Sequence, residues 1–461
     1  RGVSARSLLN ETVLKGSALA RVGSDGEPMA PTPESKLEEQ PTVEADPLLQ
    51  SGNKGPGDGG KGCCTPKAIG GVACGCCCCV YILLIALLAL VSDLKLATLT
   101  HEENYQVYME DGVTKKNPQN VSSYEWWLSC TYGPTSEVTN CGSECCNCKE
   151  RDAFRKYNSE ADYKEIRFPS REGDDGQEVV ELTGWWLPAH PSADKGAAVI
   201  VQHGLSGSIN DFRPALAAYL VRAAGFSVLM PNIRGHGSSE MPKHSKMSWG
   251  WDYPLDVLGA WDYLVKDPDH KLGGPRKASK IGIMGFSMGG FVAATAFGLE
   301  HQAAALWIDG PVSEPSHILN SLTAKLGPLA PLLDLFVLPP AWKLAELLGG
   351  IHLTHTCPAK NLPTGPKTQR PVMLVQSKDD SDVPQFMADF YVKLFNENKD
   401  RYNLSTIFEL GGKCSSAGRV ETHNMLQWLH PEQYRRELCE FWSQALLKQK
   451  CSESTLTPSY M

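Results

Sequence analysis

Lys280-Ile-Gly-Ile-Met-Gly285-Phe286-Ser287-Met288-Gly289, followed by an uninterrupted small and apolar run to Leu299, is the stretch whose reading decides the fold. Its first half is a short apolar segment that suits a buried strand, and its second half, 289–299, suits a helix. Between them stands Gly285-x-Ser287-x-Gly289, which puts a serine where a strand turns directly into a helix. A residue at the tip of so sharp a turn is forced towards positive φ. Glycine two positions to either side lets neighbouring backbone approach without a Cβ clash. Such a turn exposes Ser287 Oγ and sets the first amides of the helix facing a site that favours negative charge. Five residues alone are a weak signal, and the strand before and helix after them give it weight.

Outward from this turn, from about Asp152, apolar runs alternate with helical ones, which predicts βα units around a largely parallel sheet. The run 179–187 reads as an early antiparallel strand and 197–202 as the first buried one. Strands are expected again at 226–230, 280–285, 304–308, 371–375 and 404–410. Helices are expected near 212–224, 255–265 and 289–299, with a final amphipathic helix over 431–447.

Two more motifs lie at strand ends, His203-Gly204-Leu205-Ser206-Gly207 and Asn232-Ile-Arg234-Gly235-His236-Gly237-Ser-Ser. Together with the serine turn they make the stretch 179–447 resemble the α/β-hydrolase superfamily, close to its monoacylglycerol-lipase and serine-aminopeptidase-like group. The resemblance implies an α/β-hydrolase fold, a mostly parallel twisted sheet flanked by helices with a cap insertion. His203-Gly204 is similar to the family's H-G oxyanion loop, and Arg234-Gly235-His236-Gly237 to its R-G-x-G-x-S turn. It further implies an oxyanion hole made by the amides of Leu205 and Met288, with Gly285 and Gly289 as the glycines of the nucleophile elbow. The first 150 residues have no part in it.

A serine hydroxyl is a poor nucleophile near neutral pH and needs an imidazole to take its proton and a carboxylate to hold that imidazole. The family order of serine, acid and histidine fits Ser287, Asp380 and His423. Ser377-Lys-Asp379-Asp380-Ser-Asp382-Val383-Pro384 is similar to the family's G-x-x-D-x-x-V-P, which counts back to Asp380, and Asp379 and Asp382 are left as helix-capping or solvated charges. His423 follows the last strand, where the family carries its histidine, although the loop 411–422 is long and lacks the customary glycine before it. His430 is expected to be a capping or surface residue. His203, His236, His317, His352 and His355 are assigned to loop structure or lid surface.

Ahead of the domain, residues 1–67 are rich in Pro, Gly, Ser and Glu and read as a disordered tail. AIGGVACGCCCCVYILLIALLALV, residues 68–91, carries no charge. As a helix at about 1.5 Å per residue it reaches about 36 Å, enough to cross a hydrocarbon layer of about 30 Å. One transmembrane helix is therefore expected. Lys54, Lys61 and Lys67 precede it and only Lys95 follows closely, so the tail should be cytosolic and the hydrolase domain luminal or extracellular. The sequons at Asn120 and Asn403 are compatible with glycosylation on that side, while Asn10 shows how easily the pattern arises. Arg at position 1 suggests a fragment or a processed product. Glu44-Ala-Asp-Pro-Leu48-Leu49 resembles an acidic dileucine sorting signal.

Of 16 cysteines, Cys63, Cys64, Cys74, Cys76, Cys77, Cys78 and Cys79 crowd the tail side of the membrane run, either as palmitoylation sites or as small apolar helix residues. Cys130, Cys141, Cys145, Cys146 and Cys148 mark a Cys-rich juxtamembrane segment over 92–151, and Cys357, Cys414, Cys439 and Cys451 lie beyond it. In an oxidising lumen these are mostly disulfides, and their odd number leaves at least one free or paired between chains. The spacing of Cys141, Cys145 and Cys148 also fits a metal or iron–sulfur module, a rival in which the hydrolase is only a scaffold.

The hydrolase domain is expected over 152–450, with a cap at 313–370 and a flexible C-terminus at 451–461. The cap carries Leu326, Leu329, Leu332, Leu333, Leu335, Phe336, Val337 and Leu338, with Pro328, Pro331, Pro339 and Pro340 expected to cut its helices short. An apolar lid suits an acyl chain, or it simply packs on the domain beneath. A net charge of −8 without a basic face argues against a nucleic-acid partner, and a serine mechanism needs no cofactor and no metal. The expectation is a membrane-anchored serine hydrolase acting on small-molecule or lipid esters, with peptide or amide hydrolysis and a non-catalytic binding or adhesion protein as alternatives. Oligomeric state is not legible in the sequence.

Overall fold

The computed structural model describes residues 164–452 apart from 190–193, 206, 208, 210–211, 316, 318–332, 354, 413 and 417–418, with helical residues at 82 and 84–86 and a small antiparallel ladder at Val107–Tyr108 and Lys115–Lys116. The tail, nearly all of the membrane run, Asn120 and the cysteines from Cys63 to Cys148 lie outside the described residues. Among those described, no helix is long and apolar enough to cross a membrane.

Eight strands form one sheet: β1 (Lys164–Pro169), β2 (Glu181–Leu187), β3 (Ala198–Gln202), β4 (Ser227–Pro231), β5 (Ile281–Phe286), β6 (Ala305–Asp309), β7 (Arg370–Val375) and β8 (Tyr402–Ile407). Their spatial order is β8-β7-β6-β5-β3-β4-β2-β1. Every neighbouring pair is parallel except those made by β2, which runs against both β1 and β4. The helices are α1 (Phe212–Ala223), α2 (Tyr253–Lys266), α3 (Met288–Leu299), α4 (Leu338–Gly349), α5 (Gln385–Glu397) and α6 (Pro431–Trp442).

Strands β3 to β6 are buried along their whole length, which is why they read as continuous apolar runs. Alternate residues divide between two cores. Ala198, Ile200, Ile281 and Ile283 pack with α2, α3 and α5, while Val199, Val201, Met284 and Phe286 pack with α1 and α6. Gly282 sits at the centre of the second layer, where an added Cβ would meet the Trp442 ring at 2.2 Å. The last helix is thereby seated on the middle of the sheet.

Several boundaries differ from the expected ones, for physical reasons. The expected strand 179–187 starts only at Glu181, because Val179 is exposed. The strand expected over 404–410 pairs over Tyr402–Ile407. β1 escaped notice because it is a charged edge strand in which only alternate residues are buried. The final helix is α-helical to Trp442 and continues as a π turn over Ser443–Leu447. Pro339 and Pro340 do not shorten a helix; they occupy the first turn of α4, where a missing N–H costs nothing. Of the apolar residues expected in a cap, Leu335 and Phe336 are exposed while Val337 and Leu338 are buried; Leu326, Leu329 and Leu332 fall outside the described residues. Cys439 and Cys451 form a disulfide, and Cys357 is a buried free thiol. No group of His, Cys, Asp or Glu suited to a metal ion occurs among the described residues.

Candidate active site

The turn between β5 and α3 has the expected strained geometry. Ser287 sits at φ 55° and ψ −123°, sparsely populated for a residue with a side chain. It is held there from two sides: its N–H donates to the Asp309 carbonyl (3.0 Å), and its own carbonyl accepts the N–H groups of Gly290 (2.9 Å) and Val312 (3.2 Å). A Cβ on Gly285 would lie 2.2 Å from the Gly289 carbonyl oxygen, and one on Gly289 would lie 2.2 Å from that of His203. Backbone cannot yield as a side chain does, so both positions require glycine.

Ser287 opens onto a cavity of about 320 Å³ whose lining also includes Leu205, Met288, Trp249, Arg213 and His423. It lies beyond the carboxyl ends of β3 and β5, where ligands bind in open parallel sheets. On its wall His423 Nδ1 is 2.7 Å from Asp380 Oδ2, with the carboxylate side chain almost wholly buried. The other oxygen, Asp380 Oδ1, accepts the N–H groups of Asp382 (3.0 Å) and Val383 (2.9 Å), which fixes the carboxylate plane. The Ser287 hydroxyl makes no hydrogen bond among the described residues, so the arrangement is closed at its acid end and open at the serine.

The rival acids have other employment. Asp379 Oδ2 accepts the Gly412 N–H (2.8 Å) and ties down the loop ahead of His423, while Asp382 is exposed at the cavity rim. Neither caps a helix: Pro384 holds the N-cap of α5 without a side-chain bond. His430 stands at the start of α6, but its Nε2 pairs with the Gly411 carbonyl (2.7 Å) and gives no cap.

His203 has a structural part that its sequence position only hints at. The Ile233 N–H donates to its Nε2 (3.3 Å), so the proton sits on Nδ1 and is donated to the Gly204 carbonyl (2.9 Å). Burial pushes its pKa down to about 4, opposed by that bond, and it stays neutral around pH 7. In a trans peptide the C=O and the following N–H point in opposite directions. Pulling the Gly204 carbonyl towards His203 therefore turns the Leu205 amide away from it.

Arg234 of the R-G-H-G turn is fully buried. Its guanidinium donates to Asp252 (2.8 Å), Asp256 (2.7 Å) and the Glu178 carbonyl (2.8 Å), and His244 completes the group on Asp252 at 2.9 Å. Burial alone would lower its pKa, but Asp256 and Asp252 hold it above the ordinary value.

Sequence reasoning missed Asp309, Gly310 and Asn424. Gly310 has φ 50°, and a Cβ there would stand 2.6 Å from Asn424 Nδ2 and 3.3 Å from both Asp380 Oδ2 and His423 Cε1. The available signal was an acid followed by glycine at the carboxyl end of a buried strand, but the strand was expected to stop one residue short of Asp309.

The α/β-hydrolase-fold family model matches residues 197–333. No curated protein matches the chain. An esterase of Pyrococcus furiosus is similar in structure at 18% identity, TM-score 0.43, covering 62% of this chain and 91% of its own. The Pyrococcus horikoshii acylaminoacyl peptidase is 15% identical at TM-score 0.41, covering 63% of this chain and 42% of its own. A puromycin-hydrolysing peptidase of Mycobacterium tuberculosis is 16% identical at TM-score 0.43, covering 63% and 41%. The sheet order, the strained serine between β5 and α3 and the family match over 197–333 agree: the described domain has the α/β-hydrolase fold.

Proposed function

We propose that the chain is a membrane-anchored serine hydrolase that cleaves carboxylic esters, lipid esters and thioesters included, through an acyl-enzyme on Ser287. The observation that carries the reading is the 2.7 Å contact of Asp380 with His423, on the wall of the cavity onto which the strained Ser287 turn opens. His423 takes the Ser287 proton as Oγ bonds to the carbonyl carbon, and it returns that proton to the leaving alcohol or thiol as the acyl bond breaks. A water deprotonated by the same imidazole then releases the acid. Asp380 keeps the imidazole in the required tautomer, and the Leu205 and Met288 amides receive the developing oxyanion. These steps need no cofactor and no metal.

Labelling with a fluorophosphonate tests the assignment. Wild type should be labelled and Ser287→Ala should not; equal labelling of the two removes Ser287 as nucleophile. p-Nitrophenyl esters of graded chain length, assayed beside aminopeptidase substrates, then separate ester from amide preference.

Residues 68–91 are the proposed membrane anchor, 313–370 the proposed cap, and the lumen or cell exterior the proposed side for the domain. Asn403 supports that side as a usable sequon: it is exposed on β8, at the sheet edge. Treatment with a peptide N-glycosidase should increase the mobility of the wild-type chain expressed in a eukaryotic host. Asn403→Gln should lose the part of that shift due to this site. A chain with no shift at all argues for the opposite orientation.

A further inference from the structure

Asp309 lies beneath the proposed catalytic group and is only 1% exposed. Its carboxylate accepts two hydrogen bonds, from Asn424 Nδ2 to Oδ1 (2.9 Å) and from the Tyr434 hydroxyl to Oδ2 (2.7 Å). Its carbonyl oxygen is shared between the Ser287 N–H (3.0 Å) and the same Asn424 amide (2.8 Å). One residue at the end of β6 therefore holds the serine turn with its main chain. With main chain and side chain together it holds the residue that follows His423. Asn424 adopts φ 53°, a left-handed conformation that asparagine tolerates better than most residues but still at a cost. That cost is met by the two bonds to Asp309, and the left-handed turn sets where the His423 ring emerges.

We propose that Asp309, acting through Asn424, is a positioning residue that locks the histidine loop to the serine turn and fixes the distance between Ser287 and His423. This rests on the serine-hydrolase reading above. The groups facing Asp309 come from three directions: Tyr434 from α6, Asn424 and His423 from the loop after β8, and Asp380 from the loop after β7. Around His423 the remaining charges among the described residues are Arg213, whose Nε donates to the His423 carbonyl (3.2 Å), and Asp382 at the rim. Burial pushes the Asp309 carboxyl up to about 6, while Tyr434, Asn424 and His423 pull it back. Above that pH it is an anion within the group that positions His423.

The experiment measures the second-order rate constant of fluorophosphonate labelling from about pH 5 to about pH 9, a range that brackets histidine titration. Asn424→Gly removes the amide while suiting a positive φ, and Asp309→Asn removes the charge at constant shape. Both should lower the high-pH plateau by about tenfold or more, the usual scale for a displaced catalytic group. Asp309→Asn should also change the acid midpoint, because the variant lacks the carboxyl that titrates at about 6. Rate constants and midpoints equal to wild type in both variants overturn the proposal. So does a fall only in the fraction labelled, with a lower melting temperature and an unchanged rate constant, which is what a purely structural role gives. If Asp309→Asn fails to fold, Asn424→Gly carries the test alone. A wild-type chain that does not label at all sinks the serine-hydrolase reading itself, a different result from any of these.

Discussion

Asp380→Asn should lower ester turnover by about 10⁴-fold, with KM and melting temperature close to wild type, because the amide presents the wrong hydrogen-bonding pattern to His423 Nδ1 and selects the wrong tautomer. His423→Ala should fall as far or further, since nothing then accepts the Ser287 proton. Combining the two should cost little more than the worse of them, as groups acting as one unit are not additive. The informative control is Asp379→Asn. Asp379 contacts the Gly412 N–H and not the imidazole, so turnover should stay within about tenfold of wild type, the modest loss expected of a displaced loop. Steady-state assays on a p-nitrophenyl ester check all four. A mild Asp380→Asn beside a crippled Asp379→Asn would reassign the acid.

The largest expected stability effect is at Arg234. Arg234→Leu strands Asp252 and Asp256 in a site from which water is excluded, and breaking a buried pair from one side costs about 3–5 kcal/mol. For a domain of this size that is a fall of roughly 6–10 °C in melting temperature. Arg234→Lys should recover only part of the loss. A single ammonium cannot bond both carboxylates and the Glu178 carbonyl in the fan that the guanidinium provides. Labelling at Ser287 should weaken as well, because the Arg234 turn carries the Ile233 amide that sets the His203 tautomer. Thermal melts and labelling of the same preparations check both parts. A melting temperature within about 2 °C of wild type would mean the network adds less than about 1 kcal/mol.

The central strands and the serine turn were legible because each rests on local chemistry, whereas Asp380 and His423, which the structure places 2.7 Å apart, were picked out only through the family resemblance. An unbroken apolar run belongs to a strand covered on both faces, and glycines at 285 and 289 are the only residues that backbone at 2.2 Å allows. β1 was not legible, since at a sheet edge a charged residue every second position satisfies the pattern of a loop as well as that of a strand. Pro339 and Pro340 misled because proline both ends helices and begins them, and only the following turn of α4 decides which. Asp309 and Asn424 were invisible for a different reason. Their importance comes from meeting each other across residues 309 to 424, and no local pattern in either segment announces that meeting.

The seat that Gly282 leaves for Trp442 bears on the order in which a nascent chain can mature. The receiving strand is synthesised long before the indole that fills it, so the part of that sheet face that α1 does not cover stays open on the ribosome until the C-terminal helix emerges. His423 is also a late arrival. A partly translated domain would therefore present its serine turn before the imidazole that the proposed mechanism requires has been made.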